Sequence, residues 1–245
     1  MKNRDMTVVA VVLVALSGLL YLVQALVFRD PRHLADWLLN SLAFLPLQVL
    51  FVTFVVDRLL ADRERRARQY HMNMVIGTFF SSAGNDLLRR LRGFMPCDRE
   101  VCSRLAVGME WSDEDYRRAV AYCADVKLPI EVSPEGLADL REFLAGQRDF
   151  LLRLLENPTL LEHEAFTDLL WAVCHVAEEL AARERLDDLP ASDIAHLTAD
   201  IARAYSLLVK QWLQYLLHLR ANYPYLYSFA VRMNPLVPDA RPEVV

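Results

Sequence analysis

Two long apolar blocks dominate the first quarter of the chain. Met6 to Phe28 holds 23 residues without a charge, and Trp37 to Val56 holds 20. At about 1.5 Å per helical residue, both are long enough to cross a hydrocarbon layer of roughly 30 Å. Asn40, Pro46 and Gln48 make the second block less uniform than the first. The first is longer than a signal-peptide core of about 7–15 residues and lacks a persuasive small-x-small cleavage site, so it reads as a retained anchor. Residues 1–56 are therefore expected to form a transmembrane helical hairpin, with spans at about 6–28 and 37–56.

Beyond the second block the pattern changes to a helical period of mixed polarity. Residues 57–96 are expected to continue as a basic juxtamembrane helix, with a bend or end near Ser81-Ser82-Ala83-Gly84. Packing of Phe79 and Phe80 into the following bundle is favoured over contact with lipid headgroups. Ser112 followed by Asp113, Glu114 and Asp115 is an N-terminal cap with acidic residues in the first turn, opening a helix to about Val126. Ser133-Pro134-Glu135 opens another to about Glu156, with Pro at the first helical position. Asn157-Pro158 breaks the chain. Helices over about 159–185 and 191–222 then form a long hairpin around Asp187-Asp188-Leu189-Pro190. Alternating β-branched runs are missing, so the fold class is all-α. Residues 97–235 are expected to form a cytoplasmic helical bundle closed by the aromatic Tyr223–Ala230 segment, with 236–245 as a flexible tail.

Charge sets an orientation. Lys2 and Arg4 flank the first span, and Arg58, Arg63, Arg65, Arg66 and Arg68 follow the second, against Arg29 and Arg32 between the spans. Positive flanks stay cytoplasmic, which puts both termini inside an inner or plasma membrane. The five arginines after the second span are candidate contacts to anionic lipid headgroups. Residues 57–99 carry a net charge of +4 and residues 100–245 of −10. The acidic bundle argues against nucleic acid and offers a surface for a protein partner.

Composition removes several function classes. The chain is 54% hydrophobic and has only 7 glycines in 245 residues, which argues against dinucleotide and nucleotide enzymes, and no glycine-rich phosphate loop occurs in it. Cys97, Cys102, Cys123 and Cys174 lie on the side expected to be reducing, and the x4 spacing of the first two does not match a zinc knuckle. Motifs of serine nucleophiles and zinc proteases are also missing.

Two constellations remain. Ser17 and Gln24 lie on a small and polar seam of the first span, and Asn40 and Gln48 place amides in the second. Amides in lipid need partners, so these four residues are candidate helix contacts in a homo-oligomer, or candidate pore-lining groups if that oligomer is a channel. In the 159–222 hairpin, His175-x-x-Glu178 and Asp193-x-x-His196 approximate the Glu-x-x-His motifs of metal-binding helix bundles. With the turn near Asp188, His175 falls level with Asp200, and Glu179 with Leu197 or His196. His175, Glu178, Glu179, His196 and Asp200 are thus candidate metal ligands, although an ordinary polar helix face accounts for the same spacing.

The sequence favours a non-catalytic, membrane-anchored helical interaction, scaffold or sensory module that self-associates, with no cofactor expected. The alternatives are a small oligomeric channel and a divalent-metal-binding carboxylate–histidine bundle with redox or hydrolytic chemistry.

Overall fold

The computed structural model describes residues 15–20, 22–23, 26, 31–95, 104–125, 130–161, 163–237 and 240–243. The described residues are all helical or irregular, without strands. The chain divides into two units, Met1–Arg65 and Arg66–Val245.

In the first unit, residues 15–20, 22–23 and 26 are helical, as is the chain from Pro31, where α1 (Pro31–Phe79) begins. Among the described residues one helical segment, Leu42–Glu64, is long and apolar enough to cross a membrane, and none of it is buried. Pro46 lies inside this helix. Most of the expected first span falls outside the described residues. Ser17 is helical and exposed, as is Gln48 on α1, whereas Gln24 and the side chain of Asn40 lie outside what is described. Arg58 and Arg63 are exposed on α1; Arg65, Arg66 and Arg68 belong to the same helix, with side chains outside the described set.

The second unit starts on the last turns of α1. The chain neither bends to a stop nor breaks at the expected Ser81–Gly84 hinge. It passes through one π-helical turn, Phe80–Gly84, directly into α2 (Asn85–Arg92). A wider turn lets two consecutive aromatics face inward, and Phe79 and Phe80 are both fully buried. Phe79 meets Phe166 edge-on at 5.3 Å, while Phe80 stacks on Tyr215 at 5.2 Å. Gly84 makes room for this pair, because a Cβ there would lie 2.7 Å from a ring carbon of each.

The remaining helices are α3 (Asp113–Asp125), α4 (Pro134–Leu155), the short α5 (Pro158–Leu161), α6 (Glu164–Ala181), α7 (Ala191–Asn222) and α8 (Pro224–Arg232). Their starts follow from local chemistry. Ser112 and Asp115 form a reciprocal cap, with Ser112 N–H donating to Asp115 at 2.7 Å and Asp115 N–H donating to Ser112 Oγ at 3.3 Å. The Gly136 N–H donates to Ser133 Oγ at 3.1 Å. The helix expected over about 159–185 is interrupted, because His163 acts as an N-cap and its Nδ1 accepts from the Phe166 N–H at 3.1 Å.

Helix α7 is the centre of the unit, packed by α6, α3, α8 and α2, while α4 covers α6 and α2. Leu197, Ile201, Tyr205, Leu208, Trp212, Leu216 and Leu219 repeat at three- and four-residue steps along its buried face. The matching stripe of α6 is Phe166, Leu169, Leu170, Val173, Val176 and Leu180. The C-terminal segment docks onto this body through buried Tyr227, Asn234 and Leu236.

Candidate functional site

The α6–α7 hairpin brings four polar side chains together. His175 and Glu179 lie one turn apart on α6, as do His196 and Asp200 on α7, so two i,i+4 pairs face each other across the helix junction. His175 Nε2 and His196 Nε2 each lie 3.3 Å from Asp200 Oδ2. Glu179 reaches both rings, with Oε1 at 3.8 Å from His175 Nε2 and Oε2 at 3.5 Å from His196 Nε2. The imidazoles are half exposed, whereas Asp200 retains only 4% of its surface.

A cationic frame holds the cluster in place. Arg183, just beyond α6, donates from Nε and Nη2 to the carboxylate of Asp193 at 2.8 and 2.6 Å, and from Nη1 to Glu179 Oε2 at 2.7 Å. These hydrogen bonds hold the Glu179 and Asp193 carboxyls below the usual carboxylate range. Arg203 Nη1 lies 3.4 Å from Asp200 Oδ1, leaving Oδ2 to the imidazoles. Sequence reasoning placed Asp193 in a ligand-like motif with His196; its carboxylate is instead engaged by Arg183. The framing roles of Arg183 and Arg203 were missed, since their signal is a tertiary contact rather than a spacing.

The cluster borders an open groove of about 660 Å³ lined by Asp168, Trp171, His175, Arg203, Ser206 and Leu207. Trp171 is 60% exposed on its wall. Glu178 does not join the cluster. It lines a separate groove of about 460 Å³ between α4 and α6 with Arg141, Arg148 and Cys174. Burial and the Glu178 charge push the Cys174 thiol up. The other hairpin histidines have different tasks: His163 caps α6, and His218 Nδ1 lies 3.0 Å from Asn73 Nδ2. Burial lowers the His218 imidazole. Two imidazoles and a buried carboxylate can ligate a divalent cation; no nucleophile paired with a base accompanies them among the described residues.

Comparison with known proteins adds a family but no activity. Residues 1–60 match the N-terminal helical domain of MJ1433, and residues 68–232 match the C-terminal helical domain of the uncharacterized protein MJ1433. The chain is 42% identical over 234 residues to uncharacterized protein MJ1433 of Methanocaldococcus jannaschii, covering 95% of this chain and 94% of that protein. No solved structure matches it. With two helical domains matched in order and near-complete coverage at this identity, the chain belongs to the MJ1433 family.

Proposed function

We propose that the chain is a membrane-anchored helical module that works by association, with copies of itself and with a protein partner, rather than by catalysis. The observation that carries this reading is the exposure of Leu42–Glu64. Leu42, Phe44, Leu50, Phe51 and Phe54 each expose between 58% and 66% of their surface. A contiguous apolar surface of this extent is unstable in water and calls for lipid or protein cover.

Lipid fits the length of this segment and its basic border, where Arg58 and Arg63 are exposed toward headgroup depth. In this reading Met6–Phe28 supplies the other half of a two-span hairpin, and the excess of arginine after residue 57 places both termini and the folded body on the cytoplasmic side of an inner or plasma membrane. Ser17, Gln24, Asn40 and Gln48 then serve as contacts between spans within a homo-oligomer. The acidic body, at −10 over residues 100–245, suits a basic protein surface and disfavours nucleic acid.

Alkaline carbonate extraction of membranes from cells expressing the full chain tests the anchor. Retention in the membrane pellet is expected, with a detergent-extracted mass that is a multiple of the chain mass after correction for detergent. Release into the supernatant overturns the reading.

A further inference from the structure

We propose that His175, His196 and Asp200, with Glu179 at the rim, form a binding site for a divalent transition cation of the zinc class. The inference stands on the second unit alone and does not depend on membrane anchorage.

The first support is distance. A cation held about 2.1 Å from nitrogen and oxygen ligands in a tetrahedron sets those ligands about 3.4 Å apart. Both imidazole nitrogens sit 3.3 Å from Asp200 Oδ2, and the two Glu179 oxygens stand 3.5 and 3.8 Å from those same nitrogens. One ligand atom from each of His175, His196 and Asp200 lies within 4.8 Å of the other two, the one such group of three among the described residues. The i,i+4 pairing sets two of these separations within a helix and the packing of α6 on α7 sets the other two, so little rearrangement is needed to close them on an ion.

The second support is an unsatisfied atom. Asp200 is 4% exposed, and its Oδ2, 3.3 Å from the Nε2 of both rings, meets neither of them in hydrogen-bond geometry. A buried carboxylate oxygen that makes no hydrogen bond is destabilising, and a cation at the centre of the cluster satisfies it. The surrounding charges fit the same picture. Arg183 is committed to Asp193 and Glu179, and Arg203 approaches Oδ1, so neither guanidinium occupies the position between the rings. The half-exposed imidazoles leave a path from solvent to that position.

The donor set selects the class of ion. Two imidazole nitrogens with a carboxylate favour zinc and its transition-metal neighbours over magnesium or calcium, which prefer all-oxygen shells. Three firm ligands leave a further position to Glu179 or to water, and His175 also lines the groove with Trp171 and Arg203.

The test uses untagged full-length protein in detergent, stripped with a chelator and titrated with Zn²⁺ by calorimetry, with Co²⁺ as an optical probe. One ion per chain with micromolar or tighter affinity is expected, and a Co²⁺ spectrum free of thiolate charge transfer. His196→Ala, at a half-exposed rim position, should weaken Zn²⁺ binding by at least about tenfold while leaving the helical circular dichroism intact, and His175→Ala/His196→Ala should abolish it. His218→Ala should leave it unchanged. Absence of binding to the wild type overturns the proposal, as does binding that persists in folded His196→Ala at wild-type affinity. A thiolate band places the ion at cysteine and also overturns it.

Discussion

Arg183 holds Asp193 through two hydrogen bonds, Nε to Oδ2 at 2.8 Å and Nη2 to Oδ1 at 2.6 Å. The pair ties the end of α6 to the first turn of α7, where a carboxylate also complements the helix dipole. The backbone carbonyl of Arg183 accepts from Arg141 Nη1 at 3.1 Å, so α4 joins the same junction.

The acid response of the hairpin follows from this pair. Arg183 lowers the Asp193 carboxyl in the folded state, chiefly by hydrogen bonding and then by charge. A depressed folded value contributes stability above the unfolded carboxyl value of about 3.9, and that contribution disappears as pH falls through the folded value. Asp193→Asn should lower the denaturation midpoint at pH 7, and the gap from wild type should close as pH drops below about 4. A gap independent of pH would contradict this account.

Two glycines should respond in opposite directions to alanine. Gly84→Ala drives a methyl into Phe79 and Phe80, both fully buried, and should cost about 1–3 kcal/mol. Gly146 lies within α4 with open space at its Cβ position, so Gly146→Ala should stabilise by up to about 1 kcal/mol. Chemical denaturation of the two variants side by side reads the contrast.

The docked C-terminal segment is pinned by a hydroxyl relay. Tyr116 donates to Tyr227 at 3.1 Å, and Tyr227 donates to the Gly108 carbonyl at 3.2 Å. Tyr227→Phe removes both bonds, leaving the buried Tyr116 hydroxyl without its acceptor while the Gly108 carbonyl keeps the Trp111 N–H at 3.3 Å, and should cost about 1–3 kcal/mol. Tyr116→Phe keeps the second bond and should cost less. Equal losses in thermal or urea unfolding would refute the relay.

Cys123 offers a chemical readout of the folded body. Burial pushes its thiol up to about 11, and the thiolate is the reactive form. The native protein should leave Cys123 unalkylated by iodoacetamide near pH 7.5, with modification appearing only as the body unfolds. Peptide mapping of the alkylated chain measures this directly.

Much of the second unit is legible in the sequence because its helix starts are coded locally. Ser112 and Ser133 cap where their side chains and spacing indicate, Asn157-Pro158 interrupts the chain, and the apolar stripes of α6 and α7 become the core. The exceptions depend on tertiary contacts. His163 caps a helix although histidine is not among the usual caps, so the break before Glu164 leaves no strong sequence signal. Asp200 and Gln211 sit at the polar edge of the α7 pattern yet are buried, because neighbouring helices cover that edge. Ile194, on the apolar stripe, remains 39% exposed near the helix start. The Ser81–Gly84 segment carries bend-forming residues, but Ser81 Oγ donates back to the Gly77 carbonyl at 2.8 Å and the chain stays helical. At the candidate site, counting residues from the turn gives the register of His175 with Asp200; it does not give Arg183, whose role depends on how the connection folds back.

The most direct test of the anchor is photolabelling from within the lipid. The full chain in liposomes is exposed to a hydrophobic diazirine that partitions into the hydrocarbon core, then digested with trypsin and mapped. The account predicts heavy labelling of the peptide from His33 to Arg58, which contains most of the exposed apolar segment, and little labelling of α6 and α7. A membrane-associated chain in which that peptide escapes the label would show that protein or water, rather than lipid, surrounds Leu42–Glu64, and would contradict the account.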